Sequence, residues 1–311
     1  MTTAFVFPGQ GSQQVGMGKA LADAFPAARA VFEEVDAALG ENLSRIMWEG
    51  PEGDLTLTAN TQPALLAVSI AALRVLQAER GLDLATQAKF VAGHSLGEYS
   101  ALCAAGSLSL TDAARLLRIR GRAMQDAVPV GKGGMVALIG TDLAQANDIA
   151  NEAAQGEVCS TANDNGGGQV VISGAMGAME RSVEIAKGRG VKRALLLPVS
   201  APFHSPMMDP AAEVMRGALA EATVNAPIVP VVANVTARPE TDPQEIRDNL
   251  VAQVSGTVRW RESVEYMAGE GVTRFVELGA GKVLAGLVKR IAAGSEGVSV
   301  GSPDDIAAFG A

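Results

Sequence analysis

Lys89-Phe90-Val91-Ala92-Gly93-His94-Ser95-Leu96-Gly97-Glu98-Tyr99-Ser100-Ala101-Leu102-Cys103-Ala104-Ala105 is the stretch from which the fold can be read. Lys89 to Ala92 is short and apolar enough for a buried strand, and Glu98 to Ala105 reads as a helix with an apolar face. Between them, Gly93-His94-Ser95-Leu96-Gly97 fits G-x-S-x-G, a pattern that becomes a nucleophile elbow when strand, sharp turn and helix follow one another. The glycines let two backbone segments approach closely at the turn. Ser95 would then sit at a helix N-terminus, where free N–H groups and the dipole favour developing negative charge. A second formal match, Gly297-Val298-Ser299-Val300-Gly301, lies in an alternating, strand-like stretch with no helix directly behind it. In a chain with 35 glycines we take that match as chance.

A chain of 311 residues with 48% hydrophobic content can bury a large core, as one big domain or two smaller ones. Its formal net charge of −9 argues against nonspecific binding to nucleic acid or to an anionic membrane. Cys103 and Cys159 lie in apolar surroundings and make no disulfide framework, so a reduced, cytoplasmic protein is expected. The N-terminal Met1-Thr2-Thr3-Ala4-Phe5-Val6-Phe7-Pro8 lacks a basic region and an adequate apolar run, so no signal peptide is expected. The longest apolar stretch, Ala64 to Leu73, is broken by Arg74 and is too short to span a bilayer.

Outward from the elbow, Ala4 to Phe7 reads as a strand entering the Gly-rich turn Pro8-Gly9-Gln10-Gly11-Ser12-Gln13. Helical patterns cover Lys19–Leu39 and Pro63–Gln77, and Thr111 and Asp112 are placed to cap a helix carrying Arg115, Arg118, Arg120 and Arg122. From about Gly133 the rhythm changes. Strand at Met135–Ile139, helix at Asp142–Ala154, strands at Glu157–Thr161 and Gln169–Ser173, helix at Met176–Lys187 and strand at Ala194–Val199 give the β-α-β-β-α-β order of a ferredoxin-like unit. Strand signals at Pro230–Asn234 and Arg274–Leu278 should rejoin the larger sheet. The expected fold is therefore α/β, a hydrolase-like, mostly parallel sheet flanked by helices with an inserted ferredoxin-like small domain. The expected boundaries are residues 1–129 and 199–311 for the large domain and 130–198 for the insertion.

A serine hydroxyl needs an adjacent base at neutral pH. The chain has two histidines. His94 neighbours Ser95, but adjacent residues on such a turn point in different directions, so it is expected to support the elbow. That leaves His204, in the Pro-bracketed loop Ser200-Ala201-Pro202-Phe203-His204-Ser205-Pro206, where the insertion returns to the main domain. A third group should orient the imidazole: Asp209, a side-chain amide or a backbone carbonyl could serve. No histidine follows His204, which weakens a plain esterase reading, since that fold places its histidine late. The turn around Gln10 could cradle a phosphate but lacks the Lys-Ser/Thr of a P-loop; its better use is to bring a backbone N–H beside Ser95. The arginines between Arg115 and Arg122 are either a solvated face or include one turned inward to bind a carboxylate, and composition leaves open which.

These residues together resemble the malonyl-CoA:acyl-carrier-protein transacylases of bacterial fatty-acid synthesis. The similarity runs from Phe7-Pro8-Gly9-Gln10-Gly11-Ser12-Gln13 through Thr61-Gln62-Pro63-Ala64 and the elbow to Arg120-Gly121 with Met124-Gln125. It continues in Asn163 with Gln169-Val170-Val171-Ile172-Ser173-Gly174, and in Ala201-Pro202-Phe203-His204-Ser205. Asn234-Val235-Thr236, Gln253 with Val258-Arg259-Trp260, and Glu277-Leu278-Gly279 with Gly281-Lys282-Val283-Leu284 complete it, to about Ile291. The tail beyond is less family-like and is assigned no function.

The resemblance implies that Ser95 is the acylated nucleophile and His204 its base, with the histidine held by the backbone carbonyl of Gln253. It implies an oxyanion hole from the N–H groups of Gln10 and Leu96. Arg120 would pair with the malonyl carboxylate, and Gln10, Asn163, Met124 and Phe203 would contact substrate, Phe203 as a wall against branched acyl groups. The implied substrates are malonyl-CoA and acyl carrier protein. Coenzyme A enters as the substrate thioester and no permanently bound cofactor or metal is expected; a monomer is. Arg181, Lys187, Arg189, Lys192 and Arg193 form a basic cluster that could receive an acidic carrier protein. A serine hydrolase or thioesterase, a polyketide-type acyltransferase and a noncatalytic carrier-binding module are the competing readings.

Overall fold

In the computed structural model, which describes residues 1–310, the strands are β1 (Thr3–Phe7), β2 (Phe90–Gly93), β3 (Gly133–Ile139), β4 (Cys159–Gly166) and β5 (Gln169–Ala175). They continue with β6 (Arg193–Leu196), β7 (Val231–Val232), β8 (Pro239–Glu240), β9 (Arg274–Leu278) and β10 (Glu296–Val300). One sheet has the order β10-β9-β1-β2-β7-β8, parallel throughout except for the short β7–β8 pair. Its central strands are continuous apolar runs because helices cover both faces: Ala4 to Phe7 and Phe90 to Gly93 are all buried. The second sheet, β4-β5-β3-β6, is antiparallel, with the helices Leu143–Ala154 and Met176–Gly188 packed on it around Val136, Leu138, Ile149, Ile172 and Met179. That is the expected β-α-β-β-α-β order.

The long helix Thr58–Arg80 is apolar enough in composition to cross a membrane, but 83% of its apolar window is buried in the core, so here it is a core helix. It packs against the helix Leu110–Asp126 at very close range. A Cβ on Gly121 would fall 2.6 Å from Ala59 Cα and 2.7 Å from the Thr58 carbonyl oxygen, so glycine at this crossing lets the two helices close, with the neighbouring Arg120 bonded to Gln62 of the long helix.

Several local expectations change. The helical pattern Lys19–Leu39 is two helices, Lys19–Ala24 and Pro26–Leu39, because Phe25, preceding a proline, is forced into extended backbone. Ser109, not Thr111 or Asp112, caps the Arg-bearing helix, its hydroxyl accepting the Asp112 N–H at 3.0 Å. The strand expected over Ala194–Val199 ends at Leu196, two residues before Pro198, which has no N–H to give a ladder. Within Pro230–Asn234 only Val231–Val232 is strand, because Ala233 already bonds back to the Arg238 carbonyl. The unassigned tail has a structural place: β10 completes the sheet edge beside β9, and Arg80 donates to the Ile306 carbonyl at 2.9 Å. The second G-x-S-x-G match is part of that edge strand.

Candidate active site

The register of the central pair decides where the site forms. Phe7 of β1 lies opposite Gly93 of β2, so the turns leaving the two strands run side by side. A Cβ on Gly93 would fall 1.8 Å from the Gly97 carbonyl oxygen, and one on Gly97 2.2 Å from that of Phe7. A Cβ on Gly9 would fall 2.7 Å from the His94 carbonyl oxygen. No side chain fits at these approaches, which explains the glycines. Ser95 is held in the left-handed region, φ 52°, a conformation of limited cost that persists only where neighbours impose it. Asn234 is the neighbour: its Oδ1 accepts the Ser95 N–H at 2.7 Å and its Nδ2 donates to the Gly93 carbonyl at 2.7 Å. Ser95 N–H is so occupied, whereas the N–H groups of Leu96 and Gln10, like those of Gly9, Ser12 and Gln13, have no acceptor among the described residues.

His204 comes from the loop that leaves the small sheet, itself at φ 56°. Its Nε2 lies 2.7 Å from Ser95 Oγ. Its Nδ1 lies 2.9 Å from the Gln253 carbonyl and 3.2 Å from that of Gly256. Two carbonyl acceptors require the proton on Nδ1 and leave Nε2 as the acceptor for the serine proton. The orienting group is thus a backbone carbonyl. Asp209 instead opens the helix Asp209–Glu221. Burial, and secondarily the charge of Arg120, push the His204 pKa down to about 3, so the imidazole is neutral. His94 is half-buried, with Nε2 2.8 Å from Asn165 Oδ1 and its ring beside Trp260, away from Ser95 Oγ.

Arg120 is the arginine that turns inward, 1% exposed. Nη1 donates to Gln62 Oε1 at 2.7 Å; Nη2 donates to Gln253 Oε1 at 2.8 Å and to Ser95 Oγ at 3.2 Å. These partners are two neutral amides and a hydroxyl, and Nε has no partner among the described residues. Its guanidinium also lies 5.8 Å from the centre of the Tyr99 ring, and the Glu98 carboxyl acts on it without a direct hydrogen bond. Arg118 instead pairs with Glu41 at 2.8 Å, Arg115 bonds the Ala38 carbonyl and Arg122 stays exposed.

The functional groups converge on a cavity of about 380 Å³ between the two sheets. Gln10, Ser95, Leu96, Arg120, Met124, Phe203 and His204 line it, as do Met135, Asn163, Leu197 and Val199. The Oδ1 of Asn163 is buried without a partner among the described residues. Gln62, Asn234 and Glu98 stood in the sequence motifs without an assigned role. Glu98 is wholly buried; its Oε2 accepts the Gln253 Nε2 at 2.9 Å and the Asn234 N–H at 3.0 Å. Burial holds its carboxyl well above the usual range, and the nearby Glu240 is raised likewise. An acidic residue after an elbow glycine signals a helix first turn, and only the tertiary partners reveal this further duty.

The basic cluster is smaller than expected. Arg181 pairs with Glu157 at 2.6 Å and Arg189 with Glu152 at 2.5 Å, while Lys187, Lys192 and Arg193 are exposed and make no salt bridge among the described residues.

Known proteins match along the same frame. The family described as acyl transferase domain matches residues 4–301, past the limit at Ile291 expected from the motifs. A malonyl CoA-acyl carrier protein transacylase of Escherichia coli (strain K12) is 50% identical over 288 residues, 93% of this chain and 92% of the relative. The crystal structure of an acyl-carrier-protein-S-malonyltransferase from Bartonella henselae has a TM-score of 0.97 and 57% identity, covering 99% of this chain and 98% of that one. A type II PKS acyl-carrier protein in complex with its malonyl-transacylase matches with a TM-score of 0.95 and 43% identity, over 99% of this chain and 98% of that chain.

Proposed function

Since this chain belongs to the acyl transferase domain family, we propose that it moves malonyl from malonyl-CoA to the phosphopantetheine thiol of acyl carrier protein through an ester on Ser95. The observation that carries this reading is one oxygen, Ser95 Oγ, lying 2.7 Å from His204 Nε2 and 3.2 Å from Arg120 Nη2. Nucleophile, base and carboxylate anchor therefore meet within a single acyl group's reach.

In the first half-reaction Ser95 Oγ attacks the thioester carbonyl carbon and its proton passes to His204 Nε2. The oxyanion is received by the N–H groups of Leu96 and Gln10, a preorganised pair. The C–S bond then breaks, and the departing coenzyme A sulfur takes the proton from His204. In the second half the phosphopantetheine thiol gives its proton to His204 and attacks the malonyl ester, and Ser95 Oγ recovers the proton as it leaves. Ping-pong kinetics follow from the covalent intermediate. The neutral His204, with Nδ1–H fixed on Gln253, is ready to accept a proton in each half.

The substrate carboxylate would take the unpaired hydrogens of Arg120, so acyl groups without a carboxylate bind beside an uncompensated cation. Asn163 and Met124 complete the acyl pocket and Phe203 walls it on the base side. Residues 130–198 are read as the inserted domain, and Lys187, Lys192 and Arg193 beside the exposed Leu195 and Leu196 as the landing for an acidic carrier protein. We read the protein as a cytoplasmic monomer in fatty-acid synthesis, with no permanently bound cofactor and no nucleic-acid or membrane partner.

The test is intact-mass spectrometry after brief mixing with malonyl-CoA, with Ser95→Ala beside it. A malonyl adduct that persists in water, is absent from the variant and is discharged by holo carrier protein is the expected result. Steady release of malonate and coenzyme A without carrier protein would instead make the enzyme a hydrolase.

A further inference from the structure

Arg120 is one end of a chain of buried hydrogen bonds whose direction is forced. A guanidinium only donates, so the Gln62 amide must present Oε1 to Arg120 Nη1, at 2.7 Å. Its Nε2 then faces the Thr58 hydroxyl one helical turn earlier, at 3.0 Å. Having accepted from Gln62, that hydroxyl sends its own proton to Gln10 Oε1, at 2.9 Å. Thr58 and Gln62 are 0% and 1% exposed, so the bond between them is closed to water, while the Thr58–Gln10 bond lies half-buried at the cavity wall. Thr58 does not line the acyl cavity, whereas Gln10, Gln62 and Arg120 do. Its backbone is fixed as well, because Gly121, next to Arg120, packs against the Thr58 carbonyl.

We propose that Thr58 is a positioning residue that joins the oxyanion turn at Gln10 to the carboxylate-binding Arg120, so that one hydroxyl outside the pocket sets both halves of the acyl site. This deepens the proposed transacylase function and rests on the assignment of Arg120 to the substrate carboxylate. Without the hydroxyl, Gln62 Nε2 has only the Met124 sulfur at 3.7 Å to hold its orientation. A turned amide would then point its NH2 at the guanidinium and release Arg120 from its aim. Gln10 Oε1 would simultaneously lose its donor, loosening the turn that carries the oxyanion N–H. A malonyl substrate uses both halves; an acetyl substrate uses only the oxyanion half.

The experiment compares kcat/KM for malonyl-CoA and acetyl-CoA in wild type, Thr58→Val and Thr58→Ser. In Thr58→Val both should fall, malonyl-CoA by about tenfold more than acetyl-CoA, as expected when buried polar groups lose a partner. Thr58→Ser, which keeps the hydroxyl, should restore the ratio. A merely structural role would lower both substrates by the same factor, and that result, or an unchanged ratio, overturns the proposal. Combined with Arg120→Ala, Thr58→Val should change the ratio no further; additive losses would also overturn it. If Thr58→Val does not fold, Thr58→Ala makes the same comparison. A wild type without malonyl preference would refute the Arg120 assignment itself and this inference with it. A malonyl-to-acetyl ratio undiminished in Thr58→Val refutes this inference alone.

Discussion

Replacing Arg120 by alanine should change substrate choice far more than it changes catalysis. Arg120 is 1% exposed and the groups it bonds directly are neutral, so the malonyl carboxylate would be the first charged group bonded to it and poorly screened by water. Two charge-assisted hydrogen bonds at about 1.5–3 kcal/mol each give roughly 3–6 kcal/mol. At 1.36 kcal/mol per tenfold, a middle value of about 4 kcal/mol is on the order of a 1,000-fold loss in kcat/KM for malonyl-CoA. Acetyl-CoA offers no carboxylate. It loses only what the long 3.2 Å contact between Nη2 and Ser95 Oγ contributes, about tenfold at the low end, ~1.5 kcal/mol, of the charged range. The malonyl-to-acetyl ratio should therefore drop by about 100-fold or more. The assay is the acylation half-reaction alone, followed as Ser95 adduct by intact mass at several concentrations of each thioester. Arg120→Lys keeps the charge without the planar fork and should fall between the two. Equal losses for malonyl-CoA and acetyl-CoA would refute the assignment of Arg120 to the substrate carboxylate.

Gly97→Ala places a Cβ 2.2 Å from the Phe7 carbonyl oxygen, and displacement of the elbow from the end of β1 should lower the acylation rate by about 100-fold; near-normal rates would show that the two turns need not touch. His204 should stay neutral well below its ordinary 6.5, since burial and then Arg120 lower its pKa, which imidazole NMR reads directly. In Ser95→Ala, malonyl-CoA compensates the Arg120 charge and removes part of that lowering. The His204 pKa should therefore rise with malonyl-CoA bound and not with acetyl-CoA; equal values would mean that Arg120 keeps its full influence. Lys192→Glu with Arg193→Glu should raise KM for carrier protein several-fold at low salt while leaving KM for malonyl-CoA alone, and an unchanged carrier-protein KM would move the docking site elsewhere.

The parts of this fold visible in the sequence are those set by local periodicity and by backbone necessity. The elbow could be read because strand, turn and helix are contiguous and because its glycines occupy places where a Cβ would meet backbone. The ferredoxin-like order was readable for the same reason, each element carrying its own period. Boundaries failed where one residue overrode a pattern: Pro26 split a continuous helical stripe, and Ala233 closed a loop where apolar character suggested strand. Neither event has a signature in hydrophobic periodicity.

The site was readable only in its outer parts for a different reason. Ser95 and His204 carry chemistry in their side chains, so composition alone narrows the choice. Arg120 could not be separated from Arg115, Arg118 and Arg122 by composition, because the partners that hold it inward, Gln62, Gln253 and Ser95, lie on other elements. The carbonyl that orients His204 belongs to Gln253, and a backbone carbonyl has no residue type to betray it. Thr58, Gln62, Asn234 and Glu98 act by passing hydrogen-bond direction from one buried group to the next. Their roles exist only once the helices and strands have met. The donor-only guanidinium fixes the sense of both amides beside it, Gln62 and Gln253, and the acceptor Glu98 receives the far side of the second. A substrate carboxylate at Arg120, as proposed, would therefore meet a cation whose two amide neighbours are already oriented.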